Sequence, residues 1–335
     1  MPHEILAEKF REFARSEAAH SSPIYAGLAL RVADSPELLE LVAEGPSNQP
    51  FANLLFSSVR VVLAEEGRDI DAGDTAEVAF EKVVDIARRR RTELLHLMNT
   101  RIVQTNEVRR SIYLYCAFLR LSEEIGRRPV ALIEIGASAG LNLVFEQHRY
   151  QFEGRTEFGN AKGRLCLTSV LRGSINPPAG NSGSPIFRRY GLDLNPLDMN
   201  SEADAAWLRA LIWPDHTERI TLLTEAILVQ REFDIEMRKG DGIELLPSVI
   251  QEIPSDVVPY VFHTHVANQL SSEQKGKLLA AIERLGRDRD VIHVFNNIHP
   301  HLHATVVSGG RQREIPLART EGHGRWVEWL DQGDP

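Results

Sequence analysis

The segment Leu132-Ile-Glu-Ile-Gly136-Ala-Ser-Ala-Gly140-Leu-Asn142 decides the fold that the sequence predicts. It overlaps the apolar run Val130–Ile135, and a continuous run of this kind is typical of a parallel strand that is buried on both faces. The small residues predict a tight turn, after which the apolar pattern from Leu141 predicts a helix. A strand, a glycine turn and a helix open an α/β unit, and ligands of open α/β sheets bind beside such turns.

Three kinds of site share parts of this glycine pattern. An acidic residue followed by Gly-x-Gly-x-Gly is typical of class I S-adenosylmethionine (SAM) methyltransferases; Glu134, Gly136 and Gly140 fit, and Ser138 replaces the middle glycine. The nicotinamide fingerprint Gly-x-Gly-x-x-Gly fails, because its third glycine would fall on Leu141. The serine-hydrolase elbow Gly-x-Ser-x-Gly matches fully, with Ser138 as its nucleophile. The remaining alternative is a turn that only connects strand and helix.

The surroundings of the turn favour the methyltransferase interpretation. A nucleophile elbow normally follows several strands, whereas the chain before residue 128 has only helical patterning. Glu134 has no role in a hydrolase, but at the tip of the first strand it can help to place a cofactor. The hydrolase alternative stays open, and its triad would combine Ser138 with Asp241 or Asp256 and with His299 or His323. A third alternative is a non-catalytic protein of the same fold that binds a nucleotide-like ligand.

The methyltransferase interpretation also requires acidic residues at the ends of the next strands. Asp193 ends the predicted strand Arg189–Leu194 and is expected to hold the ribose, because one carboxylate can accept hydrogen bonds from both hydroxyls. Asp241 and Gly242 precede a predicted helix and are expected beside the adenine. The separation between Glu134 and Asp193 is long for such a unit, which predicts an insertion between them.

Two histidines are the catalytic candidates. The predicted strand Val257–Phe262 is followed by His263-Thr-His265, and this strand end is expected to face the transferred methyl group. An imidazole has an ordinary pKa near 6.5, which suits a general base. His263 is also expected to contact the cofactor, as is Asn142 behind the glycine turn. The alternative is a histidine that only bonds the cofactor or a neighbouring carbonyl.

A polar segment ahead of the first strand is the candidate substrate site. Gln104, Asn106, Glu107 and Arg110 lie at the head of a helix predicted from about residue 107 to 124. The N-terminus of a helix can bind a carboxylate or a phosphate, and Arg110 would add a positive charge. The alternative is a capping role, in which Asn106 is the N-cap of this helix.

The chain has two kinds of patterning. Residues 1–127 have helical spacing and are predicted to form an all-helical domain that covers the pocket and selects the substrate. Residues 128–335 alternate strands and helices, which predicts an α/β domain with a doubly wound, Rossmann-like sheet of the SAM-methyltransferase type. The glycine-rich stretch 151–186 is the predicted insertion. Two local predictions are a strand at Ile220–Leu223 and a hairpin between Tyr150–Phe152 and Arg164–Leu167.

Composition narrows the partners. The 335 residues include 38 Lys and Arg against 47 Asp and Glu, and the net charge of −9 disfavours a nucleic-acid partner. The sequence has no long apolar run and no signal-peptide pattern. We therefore expect no membrane partner, and we expect a cytoplasmic location. No metal site is predicted, because the two cysteines lack CxxC spacing and Pro300 interrupts the alternating His299, His301 and His303. The expected partner is a small molecule, and the oligomeric state is left open.

Nearly the whole chain resembles a bacterial family catalogued as domain of unknown function 2332. That family is similar in fold to SAM-dependent methyltransferases, with an added helical N-terminal part, and its reaction is not established. The resemblance implies SAM as cofactor; the chain departs from it at His265–Gln269 and in the histidine-rich turn after the fifth strand. The matching stretches are Glu134–Leu143, Gln104–Val108 with Arg110, Gly191–Asp198, Leu208–Pro214, Gly240-Asp241, Phe262–Thr264, and Gly324–Trp326 with Trp329.

Overall fold

The computed structural model describes residues 2–104 and 106–330. These residues form two compact units. The helical unit comprises residues 2–104 and 200–224, and the sheet unit comprises residues 106–199 and 225–330. Residues 331–335, which the sequence assigns to the second domain, lie outside the described residues.

Both units contain α-helices. The helices are α1 (His3–Phe13), α2 (Pro23–Ala33), α3 (Pro36–Ala43), α4 (Phe51–Glu65), α5 (Ala76–Arg89), α6 (Arg91–Thr100), α7 (Ser111–Glu124), α8 (Glu202–Ala210), α9 (Thr217–Gln230), α10 (Gly242–Gln251) and α11 (Ser272–Asp288). Ser22 and Ser35 cap α2 and α3 by accepting a backbone N–H bond, and a proline follows each of them at the first helical position. The predicted helical character of the first part of the chain is confirmed.

The segment 200–224 belongs to the helical unit, to which buried hydrogen bonds connect it. The Arg60 side chain on α4 is buried, with 5% of its surface exposed. Its guanidinium donates to the carbonyls of Ala210 and Ile212 and pairs with both carboxylate oxygens of Asp69. Trp207 is buried in the same core and donates its indole N–H to the carbonyl of Ile102 at 2.9 Å.

The sheet unit contains one mixed sheet of 11 strands. The strands are β1 (Val130–Ile135), β2 (Arg149–Phe152), β3 (Phe158–Gly159), β4 (Cys166–Arg172), β5 (Ile186–Asp193), β6 (Glu236–Lys239), β7 (Val258–His263), β8 (Val291–Phe295), β9 (Leu302–Ser308), β10 (Arg311–Thr320) and β11 (Trp326–Trp329). Their order is β3-β2-β4-β11-β10-β9-β8-β7-β1-β5-β6. The predicted α/β fold is confirmed, and the sheet is mostly rather than wholly parallel.

Strand β1 lies where the order of the parallel strands reverses. The chain continues to β5 and β6 on one side of β1 and then to β7 and β8 on the other, and all these neighbours are parallel. All six residues of β1 are buried, as the apolar run predicts. Glu134 lies opposite Gly191 of β5 and Phe262 of β7, one residue before the carboxyl end of β1. This end of the sheet carries the glycine turn.

Two local predictions are wrong, and one is confirmed in part. The helix predicted from Leu141 begins there, but it is the short 3-10 helix Leu141–Gln147, because the chain returns to the sheet at Arg149. Ile220–Leu223 lies within α9, where the longer helical period of buried residues outweighs a segment with three apolar residues in four. Strand β2 forms its antiparallel pair with β3 and runs parallel to β4, so the predicted hairpin has the wrong partner.

One further feature of the fold bears on membranes. Over residues 2–104 and 106–330, the helices are too short or too polar to cross a bilayer.

Candidate functional site

The turn after β1 has an unusual backbone. Gly136, Ser138 and Gly140 have φ angles of +70°, +51° and +68°, in the left-handed region that disfavours residues with a Cβ. A Cβ on Gly136 would overlap Cγ2 of Val266, so the protein's own packing requires glycine there. Ser138 has a Cβ, so a positive φ is strained for this residue, and it keeps this conformation because its surroundings hold it.

Asp193 holds the turn in place from the end of β5. Its Oδ2 accepts the N–H of Ser138 at 2.8 Å, and its Oδ1 accepts the N–H of Asn195 at 2.7 Å. The carbonyl of Ser138 accepts the N–H of Leu197 at 2.9 Å. The predicted ribose-binding residue thus also has a structural role.

Glu134 is a buried carboxyl group at the tip of β1. Only 2% of its surface is exposed, and its Oε1 accepts a hydrogen bond from Nδ2 of Asn142 at 2.8 Å. Its Oε2 is buried and has no partner among the described residues. Burial, reinforced by the negative charge of Asp193, raises the pKa of Glu134 to about 8, against the lowering effects of Asn142 and Arg110. Glu134 is therefore mostly a neutral acid at pH 7.

The start of α7 brings further polar groups to this carboxyl. The hydroxyl of Ser111 donates to Oδ1 of Asn142 at 3.4 Å, which links α7 to Glu134 through one amide. Arg110, with 7% of its surface exposed, donates through Nε to the carbonyl of Gly322 at 2.8 Å. Tyr113 is fully buried, and its hydroxyl has no partner among the described residues.

The loop between β10 and β11 braces this start of α7. Oε2 of Glu107 lies 3.0 Å from Nδ1 of His323. Gly324 has a φ of +72°, and a Cβ there would lie 2.9 Å from the backbone of Arg109. Residues more than 200 positions apart thus hold the start of α7, including the buried Arg110.

Asp241 and Gly242 lie at the end of the next strand along the sheet. Asp241 is the N-cap of α10, and its Oδ1 accepts the N–H of Ile243 at 2.8 Å. The N–H of Gly240 donates to the carbonyl of Asp193 at 2.9 Å, which joins the ends of β5 and β6. A Cβ on Gly242 would lie 2.7 Å from Cγ2 of Ile135. The ends of β1, β5 and β6 are therefore brought together, as the sequence predicts.

The family comparison gives a full-length match. The family described as "Uncharacterized protein conserved in bacteria (DUF2332)" matches residues 7–329. The chain belongs to this family. Searches of curated proteins and of solved structures return no match.

The predicted substrate segment of this DUF2332 protein is divided between the two units. Asn106 does not cap the helix: Glu107 caps the 3-10 turn Val108–Arg110 that precedes α7. The Asn106 amide instead donates to Oγ of Ser138 at 2.6 Å, across to the glycine turn. Gln104 belongs to the helical unit, whereas Asn106, Glu107 and Arg110 belong to the sheet unit.

The two candidate catalytic histidines differ in their surroundings. His263 is fully buried, its ring lies 5.2 Å from that of His293, and burial lowers its pKa to about 4. His265 has a φ of +62°, and its backbone N–H donates to Asn296 at 2.7 Å. Burial, together with the charges of Arg110 and His323, lowers the pKa of His265 to about 4. His265, rather than the core residue His263, is the histidine beside Arg110.

The hydrolase alternative requires a histidine beside Ser138. Within the described part of the chain, Ser138 bonds to Asn106, Asp193 and Leu197, and none of these is a histidine. Asp241 is engaged as a helix cap. The rings of His299 and His303 lie 4.8 Å apart. In the same described residues, no group of three or more His, Cys, Asp or Glu side chains is arranged to hold a metal ion.

Two cavities lie away from these residues. One, of about 390 Å³, lies in the sheet unit beside Tyr115, Glu146 and Ile186, at the amino end of β5. The other, of about 280 Å³, lies in the helical unit beside Glu12 and Phe51. Neither is lined by a residue of the glycine turn or by Glu134, Asp193 or Asp241.

Sequence reasoning missed Ser111, Tyr113, Asn296 and the 321–324 loop. Tyr113 follows Arg110 by three positions, so a helical projection puts both on one face of the 3-10 and α7 segment. That spacing was the available signal. Nothing local in the sequence links Glu107 to His323.

Proposed function

We propose that this protein binds SAM and transfers its methyl group to a small-molecule acceptor. The observation that carries the proposal is the position of Glu134 and the glycine turn at the carboxyl end of β1, where the strand order reverses. Ligands of doubly wound sheets bind at this switch point. The order β6-β5-β1-β7-β8 corresponds to the doubly wound order 3-2-1-4-5 when these five strands are numbered along the chain.

The residues at the strand ends fit the parts of SAM. Glu134 offers a buried carboxyl oxygen without a partner, suited to the ammonium group of the methionine part. The turn 136–140 and Asn142 would follow the methionine and ribose, with Asp193 accepting from the ribose hydroxyls. Asp241 and Gly242 would lie at the adenine.

Methyl transfer from SAM requires mainly that the protein aligns the acceptor with the methyl group. Bound SAM supplies a methyl group on a positively charged sulfur, which is an electrophile ready for displacement. The protein must hold the acceptor in line with the methyl and sulfur atoms, and positioning of this kind can supply much of a rate enhancement. Burial lowers the pKa of His265 to about 4, which makes it a weak base at pH 7, so a catalytic role for this histidine stays a prediction. That the helical unit selects the substrate stays a prediction.

Titration calorimetry with SAM and S-adenosylhomocysteine tests the proposal. Both should bind the wild type with one site per chain. Asp241→Asn keeps a side chain that caps α10 equally well but replaces the carboxylate with an amide, so affinity for both ligands should fall about tenfold, as for the loss of a charge-assisted hydrogen bond. Glu244→Gln, an exposed carboxylate in the first turn of α10, is the matched control and should bind as the wild type does.

The outcomes separate the three candidate functions. Absence of SAM binding by the wild type would refute the methyltransferase proposal. Binding without S-adenosylhomocysteine formation, when metabolite fractions are added, would favour the non-catalytic nucleotide-binding alternative. Covalent labelling of Ser138 by a fluorophosphonate would favour the hydrolase.

A further inference from the structure

Three buried polar atoms near Arg110 lack hydrogen-bond partners among the described residues. They are Oε2 of Glu134, the hydroxyl of Tyr113 and Nε2 of His265. The charge of Arg110 acts on all three groups. Buried polar atoms are nearly always paired in native proteins, so three orphans around one arginine point to a polar ligand that completes them.

The charges around Arg110 leave this residue open to an anion. Its Nε donates to the carbonyl of Gly322, and this is the one side-chain hydrogen bond of Arg110 within the described residues. The neighbouring carboxylates have partners of their own: Glu107 lies against His323, and Glu321 pairs with Arg325. Glu134, the remaining acid, is mostly neutral at pH 7. A buried guanidinium in these surroundings favours a carboxylate, which it can bind through two parallel hydrogen bonds.

Glu134, on which the charge of Arg110 acts, offers the opposite preference. A buried carboxyl with a free oxygen becomes a strong acceptor if a cation binds beside it, because the cation stabilises the ionised form. Asn142 occupies the other oxygen and fixes the orientation of the group. One position thus favours a carboxylate and the next favours an ammonium.

We propose that Arg110 and Glu134 together bind an α-amino-acid head group, with its carboxylate on the guanidinium and its ammonium on Glu134. The inference rests on the proposed function, because the methionine end of SAM is such a group. A free α-amino acid acting as acceptor is the second source of the same chemistry. Tyr113 and His265 would complete the shell.

The arrangement couples binding to the release of a proton. The charged and titratable groups that face Glu134 are Arg110, Asp193 and Tyr113, and the Asn142 amide bonds to it. In the ligand-free protein this balance keeps the proton on Glu134 at pH 7. The ammonium binds to the ionised form, so the proton must leave. With a pKa of about 8, binding at pH 7 should release about 0.9 proton per head group.

Calorimetry at pH 7 in two buffers of different ionisation enthalpy measures this proton. SAM should release about 0.9 proton from the wild type and almost none from Glu134→Gln. Methylthioadenosine, which lacks the head group, should release none from either protein. Arg110→Met keeps the apolar stem and should weaken SAM at least tenfold while leaving methylthioadenosine unchanged. Arg287→Met, an exposed arginine on α11, is the control. Circular dichroism melts check that each variant folds; if Arg110→Met does not, the Glu134→Gln arm decides.

The outcomes distinguish this inference from the function on which it rests. Wild-type protein that binds neither SAM nor methylthioadenosine overturns both. SAM binding without proton release, or an equal loss of SAM and methylthioadenosine in Arg110→Met, overturns the head-group site and leaves SAM binding standing. If L-methionine binds in the presence of saturating SAM and releases a proton of its own, the site is assigned to a free amino acid.

Discussion

Replacing Glu134 with glutamine should change how the stability of the protein depends on pH. Glutamine has the same shape and can still accept the hydrogen bond from Asn142, but it cannot ionise. In the folded wild type, burial raises the pKa of Glu134 from 4.5 to about 8. The folded state therefore keeps a proton that the unfolded state has already lost.

The size of the effect follows from proton linkage. A carboxyl whose pKa is raised on folding contributes stability below its unfolded pKa and loses it as the pH rises through the folded value. Where the two states differ by one proton, the free energy of unfolding falls by about 1.4 kcal/mol per pH unit. From pH 5 to pH 8 the wild type should therefore lose about 3.5 kcal/mol relative to Glu134→Gln.

Urea unfolding of both proteins at pH 5, 6, 7 and 8 measures this difference. The buried histidines His148, His263 and His293 have lowered pKa values and act in the opposite direction, but both proteins contain them and their effect cancels. Glu283→Gln, an exposed carboxylate on α11, is the control for the substitution itself and should track the wild type. A difference that changes by less than about 1 kcal/mol over this range would show that Glu134 is ionised in the folded protein.

Three further substitutions test the packing. Gly136→Ala should destabilise the sheet unit by about 2–4 kcal/mol, since alanine meets Val266 and must adopt a positive φ, and chemical unfolding that shows less than 0.5 kcal/mol, on the order of a neutral surface change, would contradict this. Arg60→Met should cost about 3 kcal/mol, because it leaves Asp69 and two backbone carbonyls without their buried donor; an unchanged melting temperature would count against it. Ser271→Ala removes a capping box from α11 and should cost about 1 kcal/mol in the same unfolding assay.

Much of the fold follows from local sequence patterns. The apolar run at β1 needs only its own residues to be identified as a buried strand, and the alternation after it predicts the α/β class. The strand predicted at Ile220–Leu223 is wrong because a four-residue segment with three apolar side chains fits a strand and a helix alike, and the period of buried residues along the rest of α9 decides. The antiparallel partner of β2 could not be predicted, because a two-residue strand such as β3 has no pattern of its own.

For the candidate site, too, the sequence predicts some features and not others. Glu134, Asp193 and Asp241 were predicted because each ends a strand, and parallel strands bring their carboxyl ends to one edge. The work that Asp193 does for Ser138 could not be predicted, because a hydrogen bond over 55 positions depends on the register between β1 and β5. His263 had the right position in the sequence, yet its neighbours on β8 bury it in the core.

By itself, the sequence determined which residues reach the switch point of the sheet, because the pattern of apolar runs and small residues sets where each strand ends. Only the tertiary structure decided their chemical state. The pKa of Glu134 depends on how much water the packing of α7 and β1 excludes, and on whether Arg110 or Asp193 acts more strongly on it. The placing of Arg110 in turn depends on a loop more than 200 residues away. Desolvation and charge proximity are properties of packed atoms, and no local pattern in the chain encodes them.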